Sequence, residues 1–320
     1  MQGDLEAWLA AGAGTDEEFV DRIWVLALRR APEPDGRARA LEKLRAGTLS
    51  RARLLEELVG SDEFGQVALL DDGVARATAE RASLGRPREL LAPAASDERA
   101  LEIPWALARY RGEERVLDVG YAFAEPAYLT GLAGLGAREL VGVDLAQADV
   151  PGLRSVVADV RKVPFPDGSF DVAFCISTLE HVGRDNEIYD VDAARDDSGD
   201  EAALRELHRV LAKDGRLLVS APTGEPDDQG WQVVRTPEDW VARFERAGFL
   251  VYEDELYVRG DEGWRTGSLA EASGARYNAG GPGAGAVLLA ELHPDSFGGK
   301  IRLAVRDVRH RDEVRRSTVA

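Results

Sequence analysis

Apolar residues recur at helical spacing near the start of the chain and in short, strand-like runs after Arg115. Phe19, Val20, Ile23, Leu26 and Ala27 fall on one stripe and predict a helix. Ala31 to Gly36 (APEPDG) reads as a turn by its prolines and Asp-Gly. Leu41 and Leu44 continue a second helix, which Gly47 ends. Ser50 is the expected N-cap of a third, carrying Leu54, Leu55 and Leu58, and Ser61 to Phe64 opens a fourth. Residues 71–100 read as a connecting helix followed by a loop through Pro87 and Pro93, and Leu101 to Tyr110 as a helix packed on the following sheet.

Beyond Arg115, strands are expected at 115–120, 139–145, 155–160, 170–177, 216–221, 249–258 and 285–292. Helices are expected near 126–135, 201–212 and 237–247. Such alternation predicts an α/β fold: a doubly wound, mainly parallel, seven-stranded Rossmann-like sheet preceded by a small all-α domain. The last two strands lack a helix between them and are expected as an antiparallel pair. The boundaries are 1–70 for the helical module, 71–100 for the linker, 101–294 for the α/β domain and 295–320 for a charged tail.

Charge and cysteine content narrow the partners. The 320-residue chain has a formal net charge of −18, which repels a phosphate backbone, so nucleic acid is not an expected partner. Cys175 is the only cysteine, which rules out an intramolecular disulfide. No apolar run reaches membrane-span length, and MQGDLEAWLA lacks the basic start of a signal peptide. The chain is therefore expected in the cytoplasm.

The chemistry concentrates at strand ends. Asp118 and Gly120 close the first strand, Asp144 the second and Asp159 the third. In an open α/β sheet that edge holds the ligand, and an acid ending the second strand can accept hydrogen bonds from ribose hydroxyls. Asp159 can accept from an adenine amino group or order its own loop. Trp240, Phe244 and the run Leu204, Leu207, Val210, Leu211 read as core.

These segments resemble class I S-adenosylmethionine-dependent methyltransferases, in particular the small-molecule type-11 group. The resemblance rests on RVLDVG (Arg115–Gly120), GVDL (Gly142–Leu145), Ala158–Gly183 with its P-F-P-D-G-S-F-D core, and Glu206–Pro222. It implies S-adenosylmethionine as cofactor, with Asp118, Gly120, Tyr121 and Ala122 at its methionine part, Asp144 on the ribose, Asp159 and Val160 facing the adenine, and Ser177 on the floor. Where the family carries D-x-G-x-G-x-G, this chain has Ala122 and Ala124, each preceded by a bulky aromatic, Tyr121 and Phe123. Alanine preserves a close approach only if φ stays negative.

His181, beside Glu180 and just past the fourth strand, is the expected base for deprotonating an acceptor hydroxyl. Some related quinone O-methyltransferases bind a metal there, but Thr178 stands where a further acid would help, and no metal is expected. Arg184, Asp185, Asn186 and Tyr189, with Glu225, Asp228, Gln229 and Trp231, suit a hydroxylated small molecule or a glycan-related acceptor. The N-terminal helices resemble the DUF4214 module through Glu18–Trp24, Leu28–Gly36 and Leu44–Phe64, a family often joined to glycan-related enzymes. The expected reaction is O-methylation. The alternative is a non-catalytic binding or interaction protein of the same fold with a degenerate cofactor turn.

Overall fold

A computed structural model describes residues 14–82, 90–187 and 195–295. Tyr189, Pro87 and the tail from residue 296 lie outside the described residues. The chain divides into two compact units, with the division between Asp72 and Gly73.

In the first unit, α1 (Asp16–Leu28) is opened by Thr15, whose hydroxyl accepts from the Glu18 backbone in a capping box. α2 (Pro34–Arg45) begins inside the expected turn, because Pro34 is preorganised for the first helical position. α3 (Arg51–Val59) is capped by Ser50, as the spacing predicts. Phe19, Val20, Ile23, Leu41, Leu54 and Leu58 form its core. The fourth and connecting helices prove to be one, α4 (Asp62–Ala82).

The second unit begins its α/β pattern with α5 (Arg99–Ala108), every residue of which from Ala100 on is buried. An eight-stranded sheet follows, ordered β3-β2-β1-β4-β5-β10-β8-β9. Its strands are β1 (Arg115–Val119), β2 (Glu139–Asp144), β3 (Arg154–Val157), β4 (Phe170–Ile176), β5 (Leu211–Thr223), β8 (Phe249–Gly260), β9 (Gly263–Thr266) and β10 (Ala286–Pro294). β1 to β5 are parallel. The near-continuous apolar runs of β1, β2 and β4 reflect cover on both faces, whereas β3, at the sheet edge, is partly exposed. β10 inserts between β5 and β8, antiparallel to both, so the expected terminal pair is present. β9 adds an edge strand that the sequence pattern did not separate, because it is short and follows β8 through a tight hairpin. A two-stranded ribbon, β6 (Asp227–Asp228) and β7 (Val233–Val234), stands apart from the sheet.

Among the described residues, α6 (Pro126–Ala133), α7 (Gly199–Val210) and α8 (Pro237–Arg246) cover the sheet, and a short α9 (Leu269–Ser273) lies between β9 and β10, where no helix was expected because its five residues are too few to show a helical period. Leu204, Leu207 and Val210 of α7 and Trp240 and Phe244 of α8 are buried in one core with Leu117, Phe170 and Leu217 of the sheet. The chain runs outward from β1 through β2 to β3, then returns to β4 on the other side of β1. This reversal opens a crevice above the carboxyl ends of β1 and β4.

Candidate active site

A cleft occupies that crevice. Its wall is made by Val119 and Gly120 after β1, Asp144 and Leu145 after β2, Ala158 to Arg161 after β3, and Ile176 to Thr178 after β4. Arg99, Glu102 and Ile103 of α5 and His181 to Gly183 close the remaining sides.

The turn after β1 is shaped around Gly120. Its φ is +87°, and a β-carbon there would lie 2.4 Å from Thr178 Oγ1. Thr178 is itself held, donating to the carbonyls of Val119 and Ile176. Residues Tyr121–Phe123 then form a single 3-10 turn, and Ala124 takes φ −72°. Among the described non-glycine residues only Arg29, Ser177 and Asn278 have positive φ, so Ala122 and Ala124 both stand where alanine is at ease. The two alanines therefore impose no steric penalty on the turn.

Asp144 ties the second strand to that turn. Its Oδ2 accepts from the Ala122 N–H at 3.0 Å, and its Oδ1 from the Ala146 N–H at 3.1 Å. Burial raises its pKa, opposed by these backbone donors. Asp159 meets Arg161, with N–O 2.6 Å. Burial alone would raise its pKa, but the guanidinium holds it below the usual range. Of its two expected roles, ordering its own loop is the one these bonds carry out. Val160 and Ser177 line the cleft.

Three residues expected at the cofactor do not line the cleft. Asp118 is buried and absent from the cleft wall; its Oδ2 accepts from the Tyr128 hydroxyl of α6 and its Oδ1 has no partner. Burial pushes its pKa up to about 8, against that hydrogen bond. Tyr121 also turns away, because Gly142 leaves a slot on β2: a β-carbon there would meet the ring at 2.6 Å. The Tyr121 hydroxyl pairs with Ser155 Oγ. Ala122 contributes its N–H to Asp144 rather than a side chain to the wall.

At the opposite end, His181 Nδ1 lies 3.0 Å from the Trp231 carbonyl, and the two rings stack at 5.2 Å. Burial lowers the His181 pKa to about 4, opposed by that backbone hydrogen bond. Its Nε2 lies 3.8 Å from Glu180 Oε1. Glu180 is buried with Oε2 unpartnered, and burial raises its pKa well above the carboxylate range.

The expected acceptor loops are mostly engaged with one another. Arg184 pairs with Asp197 and Asp228, Glu225 with Arg276, and Gln229 with Asp227. Asn186 lines the cleft.

Glu102 was missed. It reads as part of a core helix, yet its carboxyl lines the cleft and receives the Ser177 hydroxyl at 2.7 and 2.9 Å. Its signal was present in LEIPWALA, where a single carboxylate interrupts an apolar run.

Residues 117–219 match the family model for a methyltransferase domain. An uncharacterized methyltransferase of Bacillus subtilis, YcgJ, is 32% identical over 121 residues, covering 35% of this chain and 42% of the relative. Demethylmenaquinone methyltransferase of Thermus thermophilus is 34% identical over 124 residues, covering 35% and 49%. The chain thus spans less than half the length of either curated relative. The crystal structure of the Bacillus YcgJ protein is similar at 18% identity and a TM-score of 0.42, covering 61% of this chain and 98% of that one. A Burkholderia thailandensis 1,6-didemethyltoxoflavin-N1-methyltransferase, solved with 1,6-didemethyltoxoflavin and S-adenosylhomocysteine, is 15% identical with a TM-score of 0.41, covering 83% and 92%.

Proposed function

We propose that the chain is an S-adenosylmethionine-dependent methyltransferase acting on a hydroxylated small-molecule or glycan-related acceptor. The observation that carries this reading is the switch-point cleft, with Asp144 at its second strand, inside the segment matched to the methyltransferase model. The charge of the cleft fits the cofactor. Glu102, Glu125, Asp144 and Asp159 line it, against Arg99 and Arg161. S-adenosylmethionine carries a sulfonium and an ammonium, which suit such surroundings.

When bound, the cofactor supplies the methyl group for in-line transfer to a nucleophile. The protein's part is orientation and proton handling. Asp144 receives the ribose hydroxyls while keeping the turn at Ala122 in place. Val160 packs on the adenine, and Asp159 holds the adjoining loop through Arg161. His181, neutral at physiological pH, takes the acceptor proton on Nε2, the nitrogen on the Glu180 side, while the Trp231 carbonyl holds Nδ1–H from behind. The N-terminal helices, in their resemblance to the DUF4214 module, favour the glycan-related end of the acceptor range.

Calorimetry of the full chain with S-adenosylmethionine and S-adenosylhomocysteine, followed by a tritiated-methyl transfer screen, tests the reading. Binding of both ligands and label transfer to a hydroxylated acceptor is the expected result. Absence of binding at millimolar ligand would favour the non-catalytic alternative.

A further inference from the structure

Glu102 lines the cleft, and a neutral side-chain hydroxyl binds its carboxyl. It is fully buried, and both its oxygens receive the Ser177 hydroxyl. Ser177 is held in turn: its backbone N–H donates to Ser220 Oγ of β5 at 3.1 Å. It also sits at φ +45°, a left-handed conformation costing about 1–3 kcal/mol for a non-glycine residue. Strain of this kind persists where the surroundings over-determine the geometry. Here the result is a carboxyl fixed above the ends of β4 and β5.

The sheet order says what part of a ligand meets it. With the adenine at β3 and the ribose at Asp144 of β2, the rest of the molecule extends over β1 and β4. That remainder is the cationic half of S-adenosylmethionine. Resting on the cofactor reading above, we propose that Glu102 is the counter-charge for the cofactor's sulfonium, so that the cleft favours S-adenosylmethionine over its neutral-sulfur product S-adenosylhomocysteine.

The electrostatics give this a proton signature. Burial, and then the neighbouring Glu98, push the Glu102 pKa up to about 8, opposed by the hydrogen bonds of Ser177 and Ser220 and by Arg99. The other charged or titratable groups that interact with it are Glu180 and Tyr128. At pH 7 the empty cleft therefore holds Glu102 mostly protonated. A cation beside it favours the carboxylate, and the displaced proton passes to solvent. Affinity for S-adenosylmethionine should accordingly rise between pH 6 and 8 and level off above. S-adenosylhomocysteine lacks the sulfonium charge and should displace less.

The test is calorimetry of the full-length protein at pH 7 in phosphate and in Tris, whose ionisation heats differ and so report protons released. Wild-type protein should release most of a proton with S-adenosylmethionine and clearly less with S-adenosylhomocysteine. Glu102→Gln keeps the shape and cannot ionise. It should abolish the difference in proton release and narrow the affinity ratio of the two ligands about tenfold, or about 1.4 kcal/mol. Equal proton release with both ligands in the wild type would overturn the proposal, and this measurement does not depend on how the variant folds. A ratio unchanged in Glu102→Gln would overturn it as well. In either case binding itself would leave the cofactor reading standing, whereas a wild-type protein that binds neither ligand would remove both.

Discussion

The Nδ1 of His181 lies 3.0 Å from the carbonyl oxygen of Trp231. A carbonyl only accepts, so Nδ1 carries the hydrogen and the lone pair of the neutral ring sits on Nε2, toward Glu180. The Trp231 ring stacked on the imidazole keeps this orientation.

This arrangement gives His181 a distinct pH signature. A base must be neutral to work, and burial lowers the His181 pKa to about 4. Its contribution to kcat should therefore be lost only as pH falls through about 4, leaving no inflection near the ordinary imidazole value of about 6.5. His181→Gln should lower kcat by about 10²–10⁴-fold, the usual size of a general-base contribution, with the S-adenosylmethionine Kd nearly unchanged. A kcat–pH profile with identical acid limbs and rates in both proteins would remove His181 from the chemistry.

Gly120 should tolerate no side chain. Its φ of +87° and the 2.4 Å approach of a β-carbon to Thr178 Oγ1 act together. Gly120→Ala is expected to destabilise the protein by about 1–3 kcal/mol from backbone strain alone, with the steric overlap adding to it. Thr178→Ala in the same background should restore only part of the Tm, since it relieves the overlap and leaves φ unchanged. Thermal melts of the two variants measure both contributions.

The alanines of the turn make the opposite prediction. Ala124 has φ −72°, and Ala122 is not among the positive-φ residues. Replacing them by the glycines of the family pattern supplies a freedom the turn does not use. Ala122→Gly with Ala124→Gly should cost about 0.4–1 kcal/mol per site through the unfolded chain's entropy. Ligand affinity measured by calorimetry should stay within about twofold, because no φ needs correcting. A large gain in affinity would mean that the alanines obstruct the cofactor after all.

Asp118 should make stability depend on pH. Burial raises its pKa to about 8, whereas an unfolded aspartate titrates near about 3.9. Between those values the folded chain holds a proton that the unfolded chain has released. Stability is thus fully present below about pH 4 and declines as pH rises toward 8, by up to about 1.4 kcal/mol per pH unit. Asp118→Asn still offers Tyr128 an acceptor and cannot ionise. Its Tm should gain on the wild type steadily from pH 5 to pH 8, and a gap that is constant across those melts would contradict the assignment.

Sequence and tertiary structure decided different things here. The alternation after Arg115 was enough to establish a mainly parallel sheet with an antiparallel end, since strands covered on both faces must be apolar throughout. The same local logic put Asp144 and Gly120 at the strand-end crevice, where both line the cleft. The helix stripes of Leu204, Leu207 and Val210 and of Trp240 and Phe244 were legible because burial there follows helical period.

Whether a strand-end residue looks into the cleft or behind it was not legible. Asp118 is turned over to Tyr128 and Tyr121 to the slot at Gly142, partners 10 and 34 residues away in the bonds to Tyr128 and Ser155. Glu102 reaches Ser177 across 75 residues, and no periodicity records such a meeting. Local sequence sets which side chains are apolar and where the chain turns. Only the packing of separate segments decides which buried acid finds a donor, which keeps its proton, and which faces the cleft.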